Sequence, residues 1–331
     1  MDSVTQIALG AALGQAVLGN KVGYRAAVWG GVCATLPDLD VFLSMGGAVA
    51  DFTYHRSFSH SLIVLTLLSP VIAWLINRMH GQYSGLQKQW MLLVWLVLVT
   101  HPILDSFTVY GTQLFWPLPM EPIGFGSVFI IDPLYTLPLL IGVALALSSR
   151  HAAWGQRSNR LGLIVSSLYL IWGLSAQSYV THITEENLAN NHQQGEVLVT
   201  AGPFNTLLWR VVVMQDNGYQ EGFYSLLDPD RLIEFKQYPN QPELLSGIQD
   251  HWPVGRLQWF SKGFLKVEST RNNDLVVSDL RIGIEPSYVF SFKVAEINGD
   301  EVKPVDDQLV TQSLDFGDVG KLLQRIISRN N

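Results

Sequence analysis

The sequence predicts an α-helical membrane bundle of five or six helices followed by a small extramembrane α+β domain. Three observations predict it. Hydrophobic residues fill 48% of the 331 positions and charged residues only 15%, against roughly 25% charged in a typical soluble chain. Apolar segments recur at about 4–19, 22–36, 59–77, 90–107, 128–148 and 161–180, and the last four approach the roughly 20 residues that cross a bilayer. Charge is unevenly spread: residues 1–180 carry 8 Lys/Arg and 7 Asp/Glu, whereas residues 181–331 carry 13 and 21. The boundary is therefore expected near 180, with a membrane-embedded domain over 1–180 and a soluble, β-rich domain over 181–331.

The first two segments are short. Gly10 and Gly14 lie on one helical face, the small-xxx-small spacing that lets two helices approach closely, so a tight hairpin buried in the bundle is expected, with a re-entrant hairpin as the alternative. The opening does not resemble a signal peptide, because Asp2 stands where a basic stretch belongs and no clear cleavage site precedes Asn20. One set of loops holds Lys21, Arg25, Arg78, Lys88, Arg150, Arg157 and Arg160, while the opposite set holds Arg56 alone. Asp2, Asp38, Asp40, Asp51, Asp105, Glu121 and Asp132 all fall at that second face. The positive-inside rule puts the basic loops in the cytoplasm. A multi-pass protein of a bacterial inner membrane follows, with its C-terminal domain periplasmic.

In that domain, alternating apolar residues predict strands at 197–200, 207–214, 222–227, 257–260, 264–268, 275–282 and 288–297. Asp216-Asn217-Gly218, Asn272-Asn273-Asp274 and Asn298-Gly299-Asp300 are turn signals. Residues 319–328 predict an amphipathic helix with Leu322, Leu323, Ile326 and Ile327 on one side. The chain's one cysteine, Cys33, excludes an internal disulfide and a Cys-rich zinc site and reads as a small packing residue. No basic run points to nucleic acid.

Four polar clusters carry the chemistry. They are Leu36-Pro37-Asp38-Leu39-Asp40, His55-Arg56-Ser57-Phe58-Ser59-His60-Ser61, His101-Pro102-Ile103-Leu104-Asp105 and Asp132-Pro133. They stand at alternating ends of successive helices, so an up-down bundle gathers all four at one face. Carboxylates and imidazoles are the ligands of borderline divalent metals when thiolates are absent. His101 and Asp105 are four apart and share a helix face. His55 and His60 are five apart and need a bend near Ser57 to face one ion. Each cluster also has a plain reading: Asp38 and Asp40 as a helix stop, His55 and His60 as interfacial hydrogen-bonding groups, Asp132 as an N-cap before a proline. For His101 and Asp105 the plain reading is a pair that satisfies itself, although ionisable groups at membrane depth usually mark function. Arg56 either clamps a phosphate or pairs with a cluster carboxylate. His80 and His151 read as solvated loop residues; His182, His192 and His251 show no spacing that ties them to the clusters.

At these residues the chain resembles the membrane-bound metal-dependent hydrolases, also described as LexA-binding, inner membrane-associated hydrolases. The motifs just quoted carry the resemblance, together with Met1-Asp2-Ser3-Val4-Thr5-Gln6 followed by Gly10 and Gly14, Thr108-Val109-Tyr110-Gly111-Thr112-Gln113, and Ile131-Asp132-Pro133-Leu134-Tyr135-Thr136-Leu137-Pro138. It spans roughly residues 1–180. Many members have Thr-His where this chain has Thr5-Gln6, so Gln6 is expected to position water or substrate. The family is similar, more distantly, to zinc-dependent phospholipase C and single-strand nuclease enzymes, which implies phosphoester hydrolysis. What the resemblance implies is a metal-dependent hydrolase with Asp38, Asp40, His55, His60, His101, Asp105 and Asp132 holding one to three divalent ions, zinc first. Asp40 or Asp132 accepts a proton and Arg56 balances a phosphate. Membrane lipids are the expected surroundings, and a lipid or other phosphoester is the expected substrate. The alternative is a non-enzymatic membrane protein, a metal or ion carrier or a scaffold.

Overall fold

The computed structural model describes residues 1–149, 153–216, 218–299, 301–310 and 316–328. Arg150, His151, Asn217 and Asp300, which the loop and turn expectations invoke, lie outside the described residues. The chain divides into two compact units: Met1–Phe42 with Arg56–Leu174, and Leu43–His55 with Ser175–Asn331.

The first unit opens with α1 (Ser3–Val22), whose N-cap Asp2 accepts from the Val4 and Thr5 amides. Gly23, at φ 65°, turns the chain straight into α2 (Tyr24–Thr35). The small-residue face works as expected. A Cβ on Gly10 would stand 2.3 Å from the Gly30 carbonyl oxygen, and one on Gly14 would stand 2.0 Å from that of Ala26. The two backbones are thus closer than any other side chain permits. Cys33 is buried in this core with Leu18, Val22, Leu93 and Val97.

A 3-10 turn, Pro37–Phe42, follows α2. The chain then enters α3 (Ala48–Tyr54), which belongs to the second unit. It re-enters the first unit through the 3-10 turn Phe58–His60, α4 (Leu62–Met79), α5 (Gln87–Ser106), α6 (Pro133–Ser148) and the first half of α7 (Ala153–Asn190). Among the described residues, three stretches are long and apolar enough to cross a membrane: Leu62–Met79, Gly81–Ser106 and Ala153–Asn190, with Pro133–Ser148 apolar but shorter. Only 22% of the apolar window is buried in the first and third, against 56% in the second. So α5 is the most enclosed of the three, and α4 and α7 turn apolar side chains outward, as lipid-facing helices do.

In the second unit, α7 runs ten residues past the predicted end at 180. Ala176, Val180, Ile183 and Leu188 keep one apolar face in phase and pack on Val199, Trp209, Val211 and Val213. Those last four belong to an antiparallel meander, β1 (Val197–Ala201), β2 (Leu208–Gln215), β3 (Gly218–Ser225) and β4 (Phe235–Pro239). A second sheet has the order β10–β9–β6–β5, built from β5 (Leu265–Ser269), β6 (Asp274–Asp279), β9 (Ser291–Asn298) and β10 (Glu301–Leu309). A small hairpin joins β7 (Gly283–Ile284) and β8 (Ser287–Tyr288). The predicted strand at 257–260 is instead part of a helix, α8 (Trp252–Ser261). Pro253 opens it, Val254, Leu257 and Phe260 recur at helical spacing on its buried side, and left-handed Lys262 ends it. Phe52 of α3 packs against Phe260, Phe290 and Phe292, and Arg256 donates to the Thr53 hydroxyl at 3.0 Å. The C-terminal helix is α9 (Phe316–Arg325), whose Arg325 pairs with Asp228 at 2.8 Å.

Candidate metal centre

Four of the predicted residues converge in the first unit. Asp38 comes from the turn after α2, His60 from the turn before α4, and His101 and Asp105 from adjacent turns of α5. One ligand atom from each lies within 4.8 Å of the other three. The Nε2 atoms of His60 and His101 are 3.2 Å apart, and each is 3.4 Å from Asp38 Oδ1. Asp105 Oδ2 lies 3.2 Å from the first and 3.6 Å from the second. His60, His101 and Asp105 are fully enclosed, and only Asp38 has part of its side chain open.

The surroundings orient this group. Ser59 Oγ is 2.5 Å from Asp40 Oδ2 and 2.9 Å from His60 Nδ1. An ionised Asp40 can only accept, so the single hydroxyl proton goes to it and the serine oxygen receives the His60 Nδ1 proton. That tautomer leaves the His60 Nε2 lone pair facing the cluster, the arrangement by which outer groups fix a metal-binding histidine. The backbone amide of Arg56 also donates to Asp40 Oδ2, at 3.2 Å. His101 Nδ1 finds no hydrogen-bond partner among the described residues. Gln6 Nε2 donates to Asp105 Oδ1 at 2.9 Å and to the His101 carbonyl at 3.2 Å. The Met1 amino group donates to the same Asp105 Oδ1.

Arg56 is 4% exposed and sits in a left-handed conformation at φ 62°. Its Nε lies 3.3 Å from Asp105 Oδ2, Nη1 donates to Thr108 Oγ1 at 3.2 Å, and the guanidinium stacks 4.9 Å over the Tyr110 ring. Of its two expected roles, this placement serves pairing with a carboxylate.

Three expected residues stand apart from the four. Asp40 is one step out, 3.9 Å from His60 Nδ1. Asp132 caps α6, accepting from Leu134 and Tyr135 amides and, at 2.9 Å, from the Tyr169 hydroxyl. His55 caps α3, its amide bonded to the Asp51 carbonyl, and packs with the second unit. His80 is not the solvated residue expected. Trp29 Nε1 donates to its Nε2 at 2.7 Å, and its ring stacks on Trp90. Ser59 and Gln6 are contributors whose partners sequence alone did not assign; the only signal was their place inside polar runs that interrupt apolar ones.

A helical bundle with apolar outer faces and an enclosed His/Asp group defines a class of membrane protein with a potential metal centre. Residues 1–180 match the YdjM inner membrane protein family, and the chain belongs to that family. It is also similar to the uncharacterized protein YfhP of Bacillus subtilis (strain 168), at 26% identity over 229 residues, 67% of this chain and 68% of the relative. No solved structure matches it.

Proposed function

We propose that the protein is a metal-dependent hydrolase of the inner membrane that acts on a lipid or other phosphoester at the outer membrane face. The observation that carries this is the meeting of two imidazole Nε2 atoms 3.2 Å apart between two carboxylate oxygens. Lone pairs in that position repel unless a cation or proton lies among them. Ligand bonds of about 2.0–2.1 Å in a tetrahedron require ligand atoms about 3.3–3.4 Å apart. The five separations measured in the group run from 3.2 to 3.6 Å, which supports zinc as the first ion to try.

Asp38, His60, His101 and Asp105 would hold the ion, and to act on water it would either release one of the four or expand to five ligands. When bound, such an ion lowers the pKa of a water ligand to about 7 and polarises the target oxygen. The chain's own groups supply the rest. Asp40, held through Ser59 and outside the four, is placed to take a proton. Arg56 and Gln6 fix Asp105, and Arg56 offsets negative charge there. The four-residue group accounts for one ion; a second or third would draw on Asp40, His55 or Asp132. The bias of bases to one set of loops, Arg56 excepted, and of acids to the other supports an outer-face position for the group by the positive-inside rule. In the same reading the helices pass the membrane several times and the C-terminal domain is periplasmic.

The test is metal content of the detergent-purified chain by mass spectrometry, beside a His101→Ala/Asp105→Ala variant checked for folding. Near-stoichiometric zinc or manganese lost in the variant, followed by turnover in a phosphoester and phospholipid screen, is the expected result. Tight metal without turnover on any phosphoester would move the protein to the carrier or scaffold class. No metal in the parent, even after add-back, would end the hydrolase reading.

A further inference from the structure

At the other end of α1, about 30 Å from the metal group by helix rise over 20 residues, the first unit contains a cavity of about 570 Å³. Its polar wall is Gln15, Asn20, Lys21, Tyr24, Arg25 and Tyr83. Ala146 and Leu147, from the end of α6, make an apolar side.

The turn that carries the two bases is firmly built. Gly23 holds φ 65° between them. Its carbonyl accepts from Gln15 Nε2 at 3.2 Å, and Gln15 Oε1 accepts from Gln156 Nε2 at 3.2 Å. A Cβ on Gly19 would strike that amide pair, so the pair is packed flush against α1. The Arg25 guanidinium stands 5.2 Å from the Tyr24 ring centroid and 5.9 Å from that of Tyr83. The ring contacts orient the cation without neutralising it. No carboxylate lines the cavity among the described residues, and neither Lys21 nor Arg25 has an acidic partner among them. Tyr24 and Leu147 are exposed at 60% and 44%, so the mouth has an apolar rim beside its charged wall.

One ring-oriented cation and one exposed cation, neither neutralised, with amide and phenol groups and an apolar rim, match one ligand chemistry. We propose that this cavity binds a phosphate-bearing anion, supplied by the headgroup of an acidic phospholipid in the adjoining leaflet or by phosphate free in solution. The site is independent of the metal group and of any hydrolase activity.

Native mass spectrometry of the full chain in neutral detergent tests this, with phosphatidylglycerol, phosphatidylcholine or inorganic phosphate added. Phosphatidylglycerol is expected to be retained one to one, about tenfold better than phosphatidylcholine, given the attraction of each base near an anionic headgroup. Lys21→Gln/Arg25→Gln should remove that preference. Arg157→Gln/Arg160→Gln, an equal charge change outside the cavity, should keep it. Arg25→Lys should retain part of it, and exposed Lys21→Gln alone gives a reading if the double variant does not fold. If excess inorganic phosphate displaces the lipid, or binds in its place with the same variant pattern, the source is free phosphate; if it does not, the source is the lipid. Equal retention of the two lipids with no phosphate binding, or equal loss in both double variants, would overturn the proposal.

Discussion

Both units bury charge in base–carboxylate pairs, and among the described residues only the first also sets two imidazoles against each other. In the second unit the buried bases Arg210 and Arg281, and part-buried Lys266, each have a carboxylate against them. Arg210 Nε is 2.6 Å from Glu221, Arg281 is 2.6 Å from Asp279, and Lys266 is 2.9 Å from both Glu268 and Glu285. Tyr219 donates to Glu285 and lies 3.1 Å from the Tyr288 hydroxyl. Burial pushes both phenols far above their usual range, so they stay neutral. In the first unit Arg56 and the Met1 amino group also meet a carboxylate, Asp105, but beside them like meets like, imidazole to imidazole. The difference teaches how to tell an ion-pair network from a prospective ligand set. A network closes its own charges, as buried pairs must to offset desolvation; a ligand set leaves its lone pairs pointed at one spot.

The contrast can be broken at either unit. The largest effect is expected at Glu221→Gln, which leaves Arg210 buried without its carboxylate and should cost about 3–5 kcal/mol in denaturant unfolding of the second unit. A loss below ~1 kcal/mol would mean that Arg210 re-pairs and the network is not closed. Removing metal from the loaded chain with a chelator should cost about 2.7 kcal/mol if metal stood at a hundredfold excess over its Kd. That cost should appear as a lower melting temperature of the first unit alone. An unchanged melt would put the His/Asp group among ordinary structural pairs. Ser59→Ala removes the link that sets the His60 tautomer. It should weaken metal affinity about 10- to 100-fold, measured by competition with a chromogenic chelator, and affinity within twofold of the parent would dismiss the serine's positioning role. The smallest effect is expected at Asp132→Ala, which should cost about 1 kcal/mol through loss of an N-cap and leave metal content unchanged. Loss of metal in that variant would make Asp132 a ligand rather than a cap.

Much of this was legible because local chemistry and global packing agree. Gly10 and Gly14 announced a close hairpin, and Asp38, His60, His101 and Asp105 interrupted apolar runs at ends that an up-down bundle brings together. What was not legible depended on distant partners. The role of Ser59 rests on Asp40, 19 residues away, and that of Gln6 on Asp105, 99 residues away. Residues 48–54 look like loop, since only Phe52 stacking on three distant phenylalanines reveals why they order. The edge strands β4 and β10 are largely exposed, so they lack the alternation by which strands are recognised. The four residues at 257–260 mix apolar and polar side chains and fit either period; Pro253 and the ending at Lys262 decide for helix.

The burial of Cys33 has a practical consequence. It is the chain's one cysteine and is 1% exposed, so a water-soluble maleimide has no native target in the folded protein. Single cysteines at exposed positions then report against a silent background. Phe42→Cys, at a position 82% exposed, should label in intact cells with a membrane-impermeant reagent. Lys21→Cys should label only after permeabilisation, and each thiol would state which side of the membrane its end of the bundle faces.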